Sequence, residues 1–190
     1  MARVDRRVRK TEASIKKAFE ELAVLRKLND ITVKDLTDRA DINRKTFYLH
    51  YDSIENLVDS YVDNISKELI GIFKQHSFKE YYEKPGEALI DLSNTLKDKK
   101  GFWLKILFSD EYSYFSRKIE KKLVKNMTIF MLKSFSTSEL DAKMCANFLV
   151  QNTLSTTRFL IYDLNCEDFS LVKAQVGRLN KFGISSFFKG

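Results

Sequence analysis

The chain has 190 residues, 44% hydrophobic and 31% charged, which is enough apolar material for a packed core and excludes an intrinsically disordered chain. Its formal charge of +7 is uneven: residues 1–50 hold thirteen Lys/Arg against eight Asp/Glu, a net +5, and the other 140 residues only +2. A positive potential concentrated at one end selects a polyanion as partner, nucleic acid or anionic lipid, without deciding between them.

One proline and six scattered glycines favour long helices over hairpins, so the expected class is all-α, with about nine helices. Residues 1–10 read as an arginine-rich arm containing Arg3, Arg6, Arg7 and Arg9, suited to phosphates or a minor groove and equally to a solubilising tail. From about residue 11, Ile15, Phe19, Leu22 and Leu25 recur at helical spacing with charges between them, which predicts a first helix ending near residue 29. Thr32 precedes an apolar run with Asp35 three places on, an N-cap with a capping box in which Asp replaces the better Glu. That predicts a second helix over 33–40. Asn43 is placed to cap a third over 44–51, and Ser53 a fourth over 54–75.

Two short helices joined by a tight turn, behind a longer helix and a basic arm, compose a helix-turn-helix unit over residues 1–53. Leu36, Ala40, Ile42, Phe47 and Tyr51 are expected to face the first helix. With Phe47 and Tyr51 inward, a turn of about 100° per residue sends Lys45 and Leu49 outward, with Arg44 and Tyr48 on one flank and Thr46 and His50 on the other. Arg and Lys bond guanine edges and Thr meets a thymine methyl. Thr32, Tyr48 and His50 are better placed for phosphates, which orient a protein without reading sequence. The expected DNA contacts are therefore Arg3, Arg6, Arg7, Thr32, Asn43, Arg44, Lys45, Thr46, Tyr48, Leu49 and His50. In the absence of the surrounding pattern, the same face would read as ordinary solvated helix.

Residues 54–190 read as a second, regulatory and dimerisation domain. A loop is expected over 81–85, then helices over 86–97, 102–108, 110–135, 139–164 and 169–188. The charge-poor run at 144–157 is broken by Asn147, Gln151, Asn152 and Ser155, so no segment approaches the roughly 18 apolar residues a membrane span needs. Cys145 and Cys166 follow no signal-peptide pattern, and a reducing cytoplasm is the expected location. Cys145 suits a small buried hydrophobe. The aromatic-rich stretch with Trp103, Phe108 and Tyr112, together with Met127, Met131 and Phe148, is suited to line a ligand cavity and equally to plain bundle core. Gln151, Asn152, Ser155 and Arg158 on an otherwise apolar helix require partners if buried, whether a ligand or a second subunit.

No enzyme pattern emerges. His50 and His76 lack metal-ligand or nucleophile spacing, and there is no phosphate-cradling glycine loop. No catalytic residue, metal or cofactor is expected. A basic membrane-surface or protein-interaction module is the reading outside the DNA-binding class.

The run from Ile31 to Tyr51, with its capped second helix and the sequence Thr46-Phe47-Tyr48-Leu49-His50-Tyr51, resembles the DNA-binding domain of the TetR family of bacterial regulators, over about residues 8–58. The resemblance implies a homodimer on double-stranded DNA with a palindromic operator. It also implies a helical C-terminal domain holding a small-molecule pocket, and dimerisation through the last two long helices. Repression is the family's commoner outcome. The C-terminal part looks faintly like the branch containing activators of dihydroxyacetone kinase operons, which makes activation the alternative. Two positions depart from the family pattern: Asp41 stands where glycine is usual in the turn, and Ile54 where a phosphate-holding lysine is frequent. The second implies a backbone contact missing or supplied by the arm.

Overall fold

The computed structural model describes residues 6–84, 86–99, 101–162 and 169–184. Among the described residues there are ten α-helices and no strand: α1 Arg6–Leu25, α2 Val33–Ala40, α3 Arg44–Tyr48, α4 Ile54–Phe73, α5 Phe78–Glu83, α6 Glu87–Asp98, α7 Phe102–Phe108, α8 Ser113–Ser134, α9 Glu139–Tyr162 and α10 Phe169–Ile184. No helix among them is long and apolar enough to cross a membrane.

The all-α expectation holds, with corrections at several edges. Residues 6–10 are the first turns of α1 and not an arm, because Val8 and the four basic residues continue the helix without a breaker. α1 ends at Leu25 and a 3-10 turn over Leu28–Asp30 follows. α3 stops at Tyr48, and Leu49 and His50 form a closing turn in which the His50 and Tyr51 amides both donate to the Phe47 carbonyl, at 2.9 and 3.0 Å. The expected loop at 81–85 is instead mostly α5. Its cap was legible but unread: Ser77 accepts from the Glu80 amide and the Glu80 carboxylate accepts from the Ser77 amide. That adds a tenth helix. Residues 110–112 form a 3-10 turn before α8. Arg3, Pro85, Cys166 and the expected continuations of the last two helices to residues 164 and 188 lie outside the described residues.

One continuous apolar core links the two ends of the chain. Its junction is a ring cluster from three helices, in which Phe19 of α1, Tyr61 of α4 and Phe102 of α7 lie with centroids 4.9 to 6.1 Å apart. The Tyr61 hydroxyl donates to Glu20 at 2.9 Å and approaches the Lys16 carbonyl at 3.2 Å, so α4 is hydrogen-bonded as well as packed to α1. Further along, Ile65 and Leu69 of α4 are buried in the same core as Ile119 and Leu123 of α8. Surface pairs Lys118–Asp59, at 2.6 Å, and Lys122–Asp63 fix the α4–α8 register at little gain in stability. α10 rests over α6 at Gly86, where φ is +102° and a Cβ would come within 3.0 Å of the Lys173 carbonyl. Only glycine tolerates both conditions.

Candidate nucleic-acid interface

The geometry of residues 32–51 is set by caps. Thr32 accepts from the Asp35 amide at 3.1 Å, and Asp35 accepts from the Thr32 amide at 3.1 Å and from its hydroxyl at 2.5 Å. These bonds to Thr32, the side-chain bond first, hold the Asp35 carboxyl below the usual carboxylate range. α2 ends at Asp41, the single non-glycine residue with positive φ among those described, at φ 53° and ψ 51°. The left-handed turn that glycine usually supplies is thus made by a residue whose short polar side chain tolerates it. Asn43 then accepts from the Lys45 amide at 2.8 Å and starts α3.

Three bonds hold this pair of helices to α1. The Ser14 hydroxyl donates to the Ala40 carbonyl at 3.0 Å, the Arg39 guanidinium to Glu21 at 2.6 Å, and the Tyr51 hydroxyl to Glu12 at 3.3 Å. Glu12 also pairs with Lys16 at 2.7 Å. Between them Leu36 and Phe47 are fully buried and Ala40 and Tyr51 nearly so, while Ile42 is half-buried. A helix of five residues has no stability of its own, so it is the burial of Phe47 and Tyr51 that dictates which side faces out.

That side carries Arg44 and Lys45, both exposed, Tyr48, 55% exposed, and Leu49, 84% exposed. Thr46 and His50 on the far flank are half-buried, and Asn43 is exposed with its side chain engaged in the cap. Thr32 is exposed, but its proton is given to Asp35, so a phosphate oxygen would have to displace that bond. Arg6 and Arg7 are exposed on the first turn of α1. Lys34, exposed in the first turn of α2, adds a cation that the sequence reading passed over; its place two residues after the cap is the signal. Arg44, Lys45, Tyr48 and Leu49 thus form one convex surface on a helix braced from behind, a shape suited to the major groove.

The helices after α4 reach this unit by a second route. Lys105 of α7 donates to the Ala23 carbonyl near the end of α1, and Glu111 accepts from the Leu28 amide in the turn before α2. Lys105 and Glu111 are themselves 3.7 Å apart. These two contacts tie α7 and the turn after it to the backbone on both sides of residues 24–27.

The ten residues named as cavity candidates occupy four different places. Trp103, Tyr112 and Met131 are core, and the Tyr112 hydroxyl is buried without a hydrogen-bond partner. Met127 borders an apolar cavity of about 50 Å³ with Phe73 of α4, Phe78 of α5, Val150 of α9 and Ile184 of α10, far smaller than the roughly 300 to 1,000 Å³ of ligand pockets. Phe108, Gln151, Ser155 and Arg158 line a polar cleft of about 270 Å³ between α7, α8 and α9. There Gln151 donates to Glu120 at 3.0 Å and Arg158 lies 3.8 Å from Asp110. Phe148 and Asn152 meet α10, Phe148 against Gly183 and Asn152 donating to Asn180 at 2.5 Å. Cys145 is buried, which raises its thiol pKa. Among the described residues no group of acidic, histidine or cysteine side chains is placed to hold a metal.

No protein-family model matches the chain. The uncharacterized HTH-type transcriptional regulator YxbF of Bacillus subtilis (strain 168) is 37% identical over 68 residues, which make up 35% of this chain and 18% of that protein. Among solved structures, a TetR transcriptional regulator from Streptococcus agalactiae superposes with a TM-score of 0.66 at 22% identity, covering 92% of this chain and 97% of that one. The dihydroxyacetone kinase operon activator DhaS gives 0.58 at 23% identity over 94% and 98% of the two chains. The TetR family repressor AlkX from a Dietzia strain gives 0.58 at 14% over 93% and 98%. The chain has the fold of these TetR-family regulators.

Proposed function

We propose that this chain is a TetR-like DNA-binding transcriptional regulator, a repressor that acts as a homodimer on a palindromic operator and responds to a small-molecule effector. The observation that carries the reading is the outward face of α3, where Arg44, Lys45, Tyr48 and Leu49 are exposed because Phe47 and Tyr51 are buried behind them. Arg44 and Lys45 are suited to base edges, and Tyr48 with the cations of α1 and α2 adds phosphate contacts.

The dimer is supported by α9 and α10. Leu140, Met144 and Phe148 follow one another every fourth residue along α9 and are all exposed, as are Leu171, Leu179 and Phe182 on α10. Apolar side chains in such a stripe call for a covering surface, and a two-fold partner presenting the same stripe supplies one. A dimer places two copies of α3 at a fixed separation, and only a separation near one DNA turn, about 34 to 36 Å, fits successive grooves. An effector that favours another separation releases DNA by shifting the population. The Lys105 and Glu111 contacts to the end of α1 are the connection through which α7 would bias that separation. Activation is the second reading, favoured by the likeness to the dihydroxyacetone kinase operon activator DhaS.

An electrophoretic shift on DNA from upstream of its own gene, over a salt series, tests the proposal. Sequence-dependent binding that weakens steeply with salt is expected. Binding that ignores sequence at every salt concentration, with or without cell-extract small molecules, would contradict it.

A further inference from the structure

α8 is the most basic element outside the helix-turn-helix. It carries Arg117, Lys118, Lys121, Lys122, Lys125 and Lys133 against the single acid Glu120, a net +5 in a stretch of chain from residue 51 onward whose total is only +2. Two of these cations are accounted for by the fold, since Lys118 and Lys122 pair with Asp59 and Asp63 of α4. Arg117, Lys121 and Lys125 follow every fourth residue along the adjacent flank and are all exposed. Arg117 bonds only its own helix, from Nε to the Ser113 carbonyl at 3.2 Å, and no acidic side chain among the described residues pairs with Lys121 or Lys125.

That row borders a groove of about 700 Å³ between α8 and α9. Its floor is apolar, formed by half-buried Val124, buried Thr128, and Ile129 and Leu132, which are 43% and 40% exposed. The α9 wall places Lys143 opposite the row, with Asn147 and Gln151 continuing it. Glu120 and Glu139 also border the groove, and Glu120 is engaged by Gln151. The residues from 117 to 132 extend about 22 Å, the length of a four-turn helix. An apolar floor rimmed by cations is the complement of an amphipathic helix with carboxylates flanking its apolar stripe.

We propose that the α8–α9 groove is a docking site for a short acidic amphipathic helix of a partner protein, with Val124, Ile129 and Leu132 receiving its apolar side chains and Arg117, Lys121, Lys125 and Lys143 its carboxylates. The inference is independent of the DNA-binding reading, because it uses neither α3 nor the exposed apolar stripe of α9 and α10. Charge complementarity decides the kind of occupant: a second copy would bring the same basic α8 to the groove and add like charge.

The test uses the full chain and a labelled synthetic helix of about 16 residues, with leucines at i, i+4 and i+8 flanked by glutamates. Comparators are the same composition in scrambled order, and vesicles of phosphatidylglycerol and phosphatidylcholine. Saturable binding of the ordered helix is expected, with much weaker binding of the scrambled one. Lys121→Glu with Lys125→Glu, and separately Ile129→Ser with Leu132→Ser, should each weaken it about tenfold or more. All four side chains are exposed, so an unchanged melting temperature and unchanged oligomeric state should accompany the loss. Equal binding of the scrambled helix, or binding that both double variants leave intact, would overturn the proposal. So would vesicle binding with the same sensitivity to both variants, which assigns the groove to a membrane surface. A shift in oligomeric state on Ile129→Ser with Leu132→Ser assigns it to a second copy and overturns it as well.

Discussion

α3 and α9 expose opposite chemistries for related reasons. α3 is five residues long and is oriented by two aromatic anchors, Phe47 and Tyr51, so everything not needed for anchoring is free to be polar: Arg44, Lys45 and Tyr48. α9 is 24 residues long and buries Ala142, Cys145, Ala146, Val150 and Leu154 on one side, yet its other side still carries Leu140, Met144 and Phe148. The short helix has a finished interior and an exterior suited to a polar, charged target. The long helix has an exterior that resembles an interior with its second half missing. In the proposed function the first surface would read a partner and the second would assemble the reader.

The largest expected effect strikes the anchoring behind α3. Phe47→Ala removes a fully buried ring and should cost about 3 to 5 kcal/mol, read as a large fall in the denaturation midpoint together with lost DNA binding. Leu49→Ala, at a position 84% exposed, should leave the midpoint within about 0.5 kcal/mol of the parent. If both changes cost the same, Phe47 is not what orients the helix.

Next comes the other surface. Leu179→Glu with Phe182→Glu places charges on exposed apolar positions of α10, so the fold should survive while sedimentation shows monomer in place of dimer. A dimer that persists in this variant, with unchanged affinity, would move the assembly surface elsewhere. A smaller loss than that of Phe47→Ala belongs to the cap of α2. Thr32→Ala should cost about 1 kcal/mol. Because Asp35 titrates below its ordinary value in the folded chain, its contribution is fully present above about pH 4 and fades as pH falls below that range. Asp35→Asn should flatten that part of the acid limb, and an acid limb identical to the parent's would refute the assignment.

The two regions also differ in how much of them can be read from residues alone. In the first fifty residues the caps are local: Thr32, Asn43 and Ser53 each bond an amide two or three places on, so spacing along the chain is spacing in space. The inward placement of Phe47 followed from the same short-range geometry. The start of α1 was less legible because basic residues suit an arm and a helix alike. α5 was missed through its cap, since Tyr81, Tyr82 and Pro85 resembled a loop more than Ser77 and Glu80 resembled a helix start. Farther on, the lining of a cavity depends on which helices meet, and no local signal carries that. Trp103 of α7 and Tyr112 of the turn after it went to the core, while Gln151, Ser155 and Arg158 of α9 went to an open polar cleft. The Lys105 and Glu111 contacts join residues more than eighty places apart and leave no trace in spacing.

The central claim is that the exposed side of α3 reads base edges, and Lys45→Ala tests it most directly. Affinities of parent and variant are compared on an operator duplex and on random duplex at one salt concentration. Reading by Lys45 predicts a loss of about 1 to 3 kcal/mol on the operator with a far smaller loss on random DNA. Equal losses on the two duplexes would reduce Lys45 to a phosphate contact and contradict the account.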